Sequence, residues 1–441
     1  MNYQAGQYKR FFIKTLGCKV NQYESQAIRE DLVRNGFNEC VAEDTADIYI
    51  VNTCTVTGKA DKESRHWIGL FHGLNPGARI VVTGCYTEKN AHELAAMPGI
   101  SHIVRNSDKN RMGEILGSGG DRLRPAAPLA ISDFKGHSKA FVKIQDGCEN
   151  SCSYCKVPSV RGPLTSRPLN EILEEARRLV ENGFKEIVLT GICLGAWGKD
   201  LASNAIAEEM GIAAMGLTDL LKELDRSPRD FRIRLSSIEP RYITGELIEF
   251  MSKNKRICRH LHIPFQSGDD EVLRRMNRPY TAGYQRDLAA RIRHDMPDIA
   301  ITTDILTGFP GETDGEFRNT LDFLRDILPA RTHIFTFSRR EGTPAYNMAP
   351  QVAPHIVRQR YCALKVFALT SAYLYRERFL GKRLDILVES KRDKESGLLT
   401  GYSDNYIRVL FDGPEALMRK ITPVRVEYVN MMRSTGIYEP G

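Results

Sequence analysis

Short apolar segments that alternate with helical patterns constrain the fold of this chain most strongly. In the first hundred residues there are four strand candidates, at Arg10–Thr15, Asp47–Val51, Arg79–Thr83 and Ser101–Val104. Strands that alternate with helices form a parallel sheet with helices on both faces. We therefore predict an α/β fold that begins with an open parallel α/β sheet domain over residues 8–120.

A second series of alternating segments begins after Gly117–Lys139, which has the Gly, Pro, Ala, Ser and charge content of a linker. Helical patterns lie between most of its strands, and Glu171–Glu181 is the clearest of them because its apolar residues share one face. Six βα repeats predict a central partial (β/α)6 barrel over residues 136–372. Its strand candidates are Phe141–Gln145, Glu186–Thr190, Phe231–Leu235, His260–Pro264, Ala300–Leu306 and Thr332–Phe337.

The last block of the chain has a different pattern. LDILVES, YIRVLF and PVRVEYV alternate apolar and polar residues around turn signals. That pattern predicts a small antiparallel β-barrel over residues 376–441. The Ala-rich segment Leu201–Leu217 is interpreted as an insertion in the central barrel.

Composition limits the classes of protein to consider. The chain has 441 residues, 42% hydrophobic and 27% charged, which excludes wholesale disorder. No apolar run approaches the ~20 residues of a membrane span, so we expect a cytoplasmic protein without a membrane partner. Ten cysteines in a reducing cytosol favour metal or redox chemistry over disulfides. The net charge of +7 permits an anionic partner without requiring one.

Three cysteines lie close together in the spacing C-x3-C-x2-C, at Cys148, Cys152 and Cys155, directly after a strand candidate. Three thiolates on one short loop can hold three corners of an iron–sulfur cluster, whereas four would close the usual cluster. One iron then stays open for substrate. The alternatives are a zinc site with a distant fourth His or Cys, and buried unreactive cysteines.

A second set of three cysteines is dispersed in the sequence but shares one local context. Cys18, Cys54 and Cys85 each follow an N-terminal strand candidate. Because the carboxyl ends of parallel strands lie along one edge of a sheet, this pattern predicts that the three thiols converge. Gly17 and Gly84 would let the backbone pass close to a bulky ligand. The alternative is that these are ordinary small buried residues.

The spacing of the first cysteine set, with Tyr154 before its last member, resembles that of the radical S-adenosylmethionine (SAM) enzymes. The resemblance implies that the open iron binds the amino and carboxylate groups of SAM. It also implies that one electron cleaves the sulfonium to give a 5′-deoxyadenosyl radical, which abstracts a hydrogen. The partial (β/α)6 barrel of that family matches the six repeats, and its cluster loop also follows the first barrel strand.

The motifs TLGCKVNQYES, NTCTVT and VVTGCY are similar to the N-terminal domain of the methylthiotransferases within that superfamily. The resemblance covers essentially the whole chain. It implies an enzyme with two [4Fe-4S] clusters, the second bound by Cys18, Cys54 and Cys85 with an open iron that carries the sulfur to be inserted. It also implies that the C-terminal barrel is the RNA-binding domain called TRAM.

The motif GCKVNQYES resembles the methylthiotransferase branch that acts on threonylcarbamoyladenosine in tRNA. That implies methylthiolation of C2 of N6-threonylcarbamoyladenosine at position 37, with SAM as methyl donor and radical source. The implied partners are the tRNA anticodon loop and a one-electron donor such as a flavodoxin or ferredoxin. The alternatives are the same chemistry on isopentenyladenosine-37 or on a ribosomal-protein aspartate, and a non-catalytic zinc- and RNA-binding protein.

Two features depart from the family pattern. The family often has Ile-Pro-Tyr-Ala-Arg-Gly after the radical cysteines, whereas Val157–Gly162 is VPSVRG here. Position 193 is a cysteine where relatives commonly have a polar residue. We interpret Cys193 as packing near the cofactor rather than as a cluster ligand.

Polar or small residues at the ends of the barrel strands are candidate contacts to SAM, because barrel enzymes place functional groups there. They are Tyr154, Thr190, Gly191, Ser236, Ser237, Glu239, His262 and Gln266. A lone His is more often a satisfied core residue, so His262 ranks below Glu239.

Basic residues and two tyrosines at the start of the C-terminal barrel are candidates to track an RNA backbone and stack on bases. They are Lys382, Arg383, Lys391, Arg392, Tyr402, Tyr406 and Arg408. A charge run is usually a solvated face, and acidic residues are interspersed here. The expectation of RNA binding therefore depends on the TRAM resemblance.

Overall fold

A computed structural model describes residues 10–41, 46–117, 129–202 and 215–440. The chain forms two compact units. One comprises residues 1–133, 147–149 and 155–163, and the other comprises residues 134–146, 150–154 and 164–441. Most of the insertion predicted at Leu201–Leu217, and part of the linker predicted at Gly117–Lys139, lie outside the described residues. The three-domain division stays a prediction.

The first unit contains a five-stranded parallel sheet in the order β2-β1-β3-β4-β5. Its elements are β1 (Arg10–Thr15), α1 (Lys19–Arg34), β2 (Asn38–Glu39), β3 (Ile48–Thr53), α2 (Gly58–Leu74), β4 (Arg79–Gly84), α3 (Thr87–Ala95), β5 (Ile100–Ile103) and α4 (Met112–Gly117). The predicted open parallel sheet is confirmed, and the sequence pattern missed only the short edge strand β2.

The central strand β3 is buried along its whole length, which is typical of a parallel sheet covered on both faces. Alternate residues of β3 enter two different cores. Tyr49 and Val51 pack with Phe71 on one face, whereas Ile48 and Ile50 pack in a core on the other. Helices cover both faces because each strand has two apolar sides to bury.

Before its long helix, the second unit contains six strands in parallel sheets and one pair of two-residue antiparallel strands. Its elements up to the long helix are β6 (Ala140–Lys143), β7 (Gln145–Asp146), β8 (Thr165–Ser166), α6 (Leu169–Glu181), β9 (Glu186–Thr190), α7 (Lys199–Ala202), α8 (Leu217–Asp225), β10 (Arg232–Leu235), α9 (Gly245–Lys253), β11 (His260–His262), α10 (Asp270–Arg275), α11 (Ala282–Asp295), β12 (Ala300–Thr307), α12 (Asp314–Ile327), β13 (Arg331–Thr336) and α13 (Pro354–Glu377). The short helix α5 (Val157–Arg161) belongs to the first unit.

The six strands form two parallel three-stranded sheets, β6-β9-β10 and β11-β12-β13. Parallel bridges from Ile233 to Ile257 and from Ser237 to His262 join them between β10 and β11. The result is the partial (β/α)6 barrel that the six sequence repeats predict.

A closed five-stranded barrel follows α13, in the order β14-β15-β16-β18-β17. Its strands are β14 (Arg383–Val388), β15 (Leu399–Tyr402), β16 (Arg408–Phe411), β17 (Ile421–Val429) and β18 (Ser434–Tyr438). The predicted small β-barrel is confirmed. It is antiparallel except for β16 and β18, which pair in parallel. β16 and β18 are not consecutive in sequence. The alternation of apolar and polar residues within each strand does not indicate whether two such strands pair in parallel or antiparallel.

A buried ion cluster joins the partial barrel to the small barrel. Glu186 accepts hydrogen bonds from Arg232 Nε at 2.6 Å and Arg234 Nε at 2.8 Å. The same guanidinium groups donate to backbone carbonyls of the small barrel, including those of Tyr402 and Ser403. Burial raises the pKa of Glu186, but the two guanidinium groups outweigh it and hold that pKa well below its usual range.

Among the described residues, no helix is long and apolar enough to cross a membrane.

We predict that Glu186→Gln destabilises the protein by about 3–5 kcal/mol, because two buried guanidinium groups lose their counter-charge. Urea denaturation at pH 7 measures this. The control is Glu174→Gln, which removes the exposed ion pair with Arg177 and should change the midpoint little. Equal midpoints for the two variants would contradict the structural role of the cluster.

Candidate functional site: two cysteine sets and a polar barrel interior

The three dispersed cysteines follow three neighbouring strands of the first unit. Cys18 lies between β1 and α1, Cys54 directly follows β3, and Cys85 directly follows β4. These strands are adjacent in the sheet, so their carboxyl ends share one edge. Burial, together with the negative charges that Cys85 and Cys18 would carry, raises the pKa of Cys54 to about 12. The thiols are close enough to interact electrostatically, as the predicted convergence requires.

Two glycines make this arrangement possible. Gly17 has φ +92°, and a Cβ there would lie 2.8 Å from Cys54 Cβ and 2.9 Å from Cys54 Sγ. Gly84 has φ +102°, and a Cβ there would lie 2.3 Å from the carbonyl oxygen of Thr53. The sequence suggested that these glycines make room for a ligand. The structure shows that they let the cysteine-bearing segments approach each other.

Charged groups buried beside this edge were missed by the sequence analysis. Arg161 Nε donates to Cys85 Sγ at 3.0 Å, and the same guanidinium donates to Glu24 Oε1 at 2.6 Å. Lys109 Nζ donates to the other oxygen of Glu24 and to Asn52 Oδ1 at 3.2 Å. The three charged side chains are almost completely buried, with 0–2% exposure.

These charges act directly on Cys85. Burial raises the pKa of its thiol, whereas Arg161 and Lys109 lower it because they stabilise the thiolate. Thiolates, not thiols, bind metals, so nearby cations favour the ligating form. The sequence signal was weak, because Arg161, Lys109 and Glu24 are widely separated in the chain.

The clustered cysteines lie on the loop after β7, and residues of this loop enter both units. In the first unit the Cys148 N–H donates to the Gly162 carbonyl at 3.2 Å, and the Val157 N–H donates to Cys155 Sγ at 3.4 Å. In the second unit the Ser153 N–H donates to the Met276 carbonyl at 3.1 Å. The ligand set Cys148, Cys152 and Cys155 stays a prediction.

Glu239 connects the Cys152 part of this loop to the barrel. Its carboxylate accepts from Asn150 Nδ2 at 2.6 Å and pairs with Arg278 and, at 3.3 Å, with Arg241. Tyr154 packs edge-on against Phe309. Glu239 was predicted to contact the cofactor, and in this structure its oxygens hold the loop and two guanidinium groups. Asn150 and Arg278 were not singled out from the sequence.

The other predicted cofactor contacts lie at strand ends, in different environments. Thr190 ends β9, and a Cβ on Gly191 would lie 2.9 Å from Gln145 Oε1, so a larger residue at this turn would require Gln145 to shift. The same Gln145 oxygen accepts the Cys193 N–H at 2.7 Å. Cys193 is buried next to Asn150 and Tyr242.

Ser236 Oγ is buried and has no hydrogen-bond partner among the described residues. It follows β10, where a bound ligand could satisfy it. Ser237 pairs with His262 across the junction of the two sheets. Gln266 has a left-handed φ of 69°, and its N–H donates to the Asp304 carbonyl at 2.8 Å.

His262, Asp304 and His333 form a polar group on three adjacent strands of the barrel. His262 Nε2 lies 3.2 Å and His333 Nδ1 lies 3.1 Å from Asp304 Oδ1. The other ring nitrogen of His262 is 2.9 Å from Thr302 Oγ1. Burial raises the pKa of Asp304, but hydrogen bonds from both imidazoles lower it well below its usual range. Asp304 and His333 were not candidates in the sequence analysis.

The predicted RNA-binding residues divide into two groups. Lys382, Arg383, Lys391 and Arg408 are exposed, and Arg408 pairs with Asp393 at 2.7 Å. Arg392 is half-buried and donates to the Gly397 and Gly413 carbonyls.

The two tyrosines of this set already stack within the protein. The ring centroids of Tyr402 and Tyr406 lie 5.1 Å apart, and those of Tyr406 and His260 lie 4.3 Å apart in a stacked arrangement. Lys139 Nζ lies 4.7 Å from the ring centroid of Tyr402.

A cleft of about 520 Å³ connects this region to β13 and α13. The described residues that line it include four tyrosines and four cations but neither Asp nor Glu. The four tyrosines are Tyr361, Tyr375, Tyr402 and Tyr406, and the four cations are Arg331, Lys365, Arg376 and Arg408. Cations with aromatic rings, and without carboxylates, suit a single-stranded nucleic acid.

Two known families match separate segments of the chain. Residues 10–105 match a family described as uncharacterized protein family UPF0004, and residues 142–324 match the radical SAM superfamily. The solved structure of a radical S-adenosylmethionine methyltransferase, TsrM, from Kitasatospora setae is similar to this one, with a TM-score of 0.55 at 16% identity over 77% of each chain. Fold and motif together define a radical SAM enzyme.

Curated relatives define the family further. The chain is 37% identical over 93% of its length, and 92% of the relative, to a threonylcarbamoyladenosine tRNA methylthiotransferase from Bacillus subtilis. A relative of the same name from Thermotoga maritima is 37% identical over 91% of both chains. A tRNA-2-methylthio-N(6)-dimethylallyladenosine synthase from Desulfitobacterium hafniense is 31% identical over 96% of both. The chain belongs to the radical SAM tRNA methylthiotransferase family, as the cysteine motifs indicated.

We predict that Asp304→Asn lowers the free energy of unfolding at pH 7 by roughly 1–3 kcal/mol, because two imidazoles lose a charged acceptor. A carboxylate with a depressed pKa stabilises the fold above its unfolded pKa of about 3.9 and loses that effect as the pH falls through the folded value. The difference between wild type and variant should therefore shrink below about pH 4.

Urea denaturation of the metal-free chain between pH 7 and pH 3.5 measures this difference. Asp298→Asn is the control, since Asp298 is 60% exposed and lies 3.4 Å from Arg378. A difference that is constant over this pH range would contradict the depressed pKa.

Proposed function

We propose that this enzyme replaces the C2 hydrogen of N6-threonylcarbamoyladenosine at position 37 of tRNA with a methylthio group. It uses two [4Fe-4S] clusters, and SAM serves as methyl donor and as radical source. The observation that carries this proposal is the convergence of Cys18, Cys54 and Cys85 at one sheet edge, in a chain whose sequence also has a separate C-x3-C-x2-C motif.

The edge of the first unit fits an iron–sulfur cluster. It supplies three thiols, and Arg161 donates a hydrogen bond to the sulfur of Cys85 at 3.0 Å. Fe–S clusters are held by thiolates and tuned by hydrogen bonds to their sulfurs. In the proposed enzyme Cys18, Cys54 and Cys85 hold this cluster, and three thiolates leave one of its irons open for sulfur.

The C-x3-C-x2-C motif is assigned to the second cluster, and the strand ends of the barrel are assigned to SAM. Cys148, Cys152 and Cys155 provide three ligands, and Glu239 holds Asn150, two residues before Cys152, against the barrel. The buried hydroxyl of Ser236 lacks a partner among the described residues, as expected for a group that bonds to a bound cofactor. When bound, the clusters supply the electron that cleaves SAM and the site that holds sulfur.

The substrate branch is supported by two observations. Two relatives named for threonylcarbamoyladenosine reach 37% identity, whereas four relatives named for dimethylallyladenosine have 31–33%. The barrel carries a polar group, in which the imidazole of His333 is 40% exposed. A threonylcarbamoyl substituent has a hydroxyl and N–H groups that such a group can hydrogen-bond, whereas an isopentenyl substituent is apolar.

The proposed partners are the tRNA anticodon loop and a one-electron donor such as a flavodoxin or ferredoxin. The cleft lined by Arg331, Lys365 and Arg408 supports tRNA binding, because its described lining has no carboxylate to repel phosphate. The base that such an enzyme modifies must be unstacked from its neighbours, and nucleotides in a single-stranded loop unstack readily.

Nucleoside mass analysis of tRNA from cells that lack this gene tests the substrate. We expect loss of the methylthio form of threonylcarbamoyladenosine and its return when the gene is restored. Loss of only the methylthio-isopentenyl form would assign the enzyme to the other branch. Loss of neither, with a ribosomal-protein aspartate left unmodified, would identify the third substrate class.

Metal and sulfide analysis after anaerobic purification tests the clusters. Iron and sulfide in equal amounts are expected, whereas zinc without iron or sulfide would favour a non-catalytic zinc- and RNA-binding protein. Cys54→Ala should abolish methylthiolation, because each cluster needs its three thiolates. Full activity of Cys54→Ala would rule out the two-cluster enzyme.

We predict that Gly17→Ala lowers iron and sulfide content toward that of one cluster, because its Cβ would collide with Cys54. The matched control is Gly36→Ala. Gly36 also has a left-handed φ, of +84°, but a Cβ there would have no neighbour within 4 Å. Both variants carry the backbone cost of a positive φ, and only Gly17→Ala should lose iron. Equal iron in the two variants would show that Cys54 is not held as proposed.

A further inference from the structure

We propose that Arg161 is a positioning residue for the N-terminal cluster: its Nε–H···Sγ hydrogen bond to Cys85 fixes that ligand and raises the reduction potential of the cluster. This inference rests on the proposed function, because it requires Cys85 to ligate a cluster. It assigns a role to a side chain that lies in the sequence immediately after the other cysteine set.

The geometry within the first unit is direct. The side chain of Arg161 is 1% exposed, its Nε lies 3.0 Å from Cys85 Sγ, and its terminal nitrogens donate to Glu24 and Asn21. One guanidinium therefore has three fixed directions of donation. A guanidinium held this firmly can present one N–H to a sulfur without paying the entropy of a free side chain.

The charges around Cys85 determine whether a substitution raises or lowers the reduction potential of the cluster. Arg161 and Lys109 are positive, Glu24 is negative, and all three are buried where screening by water is weak. A cluster gains negative charge when it is reduced, so a donated hydrogen bond and a nearby cation favour the reduced form. Hydrogen bonds to the sulfurs are among the factors that set cluster potentials. Removal of Arg161 should shift the potential to more negative values, and neutralisation of Glu24 should shift it to more positive values.

Arg161 also connects Cys85 to the segment that carries Cys155. Arg161 ends the short helix α5, which begins two residues after Cys155, and both residues belong to the first unit. Asn106 Nδ2 also donates to the Val160 carbonyl at 3.1 Å, which further fixes α5. The segment that supplies Cys155 to one proposed cluster is therefore anchored at a ligand of the other.

The test is a redox titration followed by electron paramagnetic resonance. The full-length chain with Cys148, Cys152 and Cys155 all replaced by Ala carries only the N-terminal cluster, so its signal is unambiguous. In this background we expect a more negative midpoint potential for Arg161→Gln, a smaller negative shift for Arg161→Lys, and a positive shift for Glu24→Gln. Arg161→Lys also keeps the test valid if Arg161→Gln does not load iron.

Arg29→Gln is the matched control. It removes a partly buried ion pair from the same region, Arg29 with Glu39 at 2.6 Å, without a contact to cysteine. Its midpoint potential should equal that of the parent. Shifts of the same sign in Arg161→Gln and Glu24→Gln would mean that the network is only structural and would overturn the inference.

The outcome also separates this inference from the proposed function. A triple-Ala chain that holds no iron would refute the N-terminal cluster itself. A triple-Ala chain that holds iron, with one potential for all variants, would refute only the role of Arg161. In the intact enzyme, Arg161→Lys should raise the ratio of 5′-deoxyadenosine to methylthiolated product, whereas Arg29→Gln should not.

Discussion

Parallel strand pairing is the constraint on which the N-terminal site depends. In a parallel sheet every strand ends at the same edge, so residues that are far apart in sequence meet when each follows its strand by a short step. Register pairs Thr15 with Asn52, and Thr53 with Gly84, which aligns the ends of the three strands. The cysteines follow within a few residues. The thiols converge because of the sheet, and the glycines remove the steric obstacle to it.

Buried charges connect the parts of each unit that the strands do not. Glu186 pairs with Arg232 and Arg234, which also donate hydrogen bonds to backbone carbonyls of the small barrel. Glu24 pairs with Lys109, which also donates to Asn52, and with Arg161, which also donates to Cys85. A buried ion pair adds little net stability, but removal of one partner is costly because the other stays charged. Such clusters therefore fix which segments meet more than they raise the stability of the fold.

The sequence predicted features that depend on backbone periodicity. The five-stranded parallel sheet lacked only the two-residue edge strand β2, the six-stranded partial barrel was correct, and the convergence of Cys18, Cys54 and Cys85 followed from strand ends alone. It did not predict contacts that depend on side-chain reach. Arg161 bonds to Cys85, and Tyr406 stacks on His260, across long stretches of sequence, so no local pattern encodes either contact. The parallel pair β16 and β18 was missed for the same reason, since it joins non-consecutive strands.

Local charge says more about an RNA partner than net charge does. The excess of seven positive charges over 441 residues is mild and would not by itself concentrate tRNA on the surface. Many cations are already paired, as Arg408 is with Asp393 and Arg425 is with Glu439. In the cleft beside β13 and α13, however, Arg331 and Lys365 lie among tyrosines, and the described lining contains no carboxylate. Phosphate binding depends on such local excess because salt screens charges beyond about 10 Å. A mildly basic protein with such a cleft can hold a single RNA loop without binding nucleic acid over its whole surface.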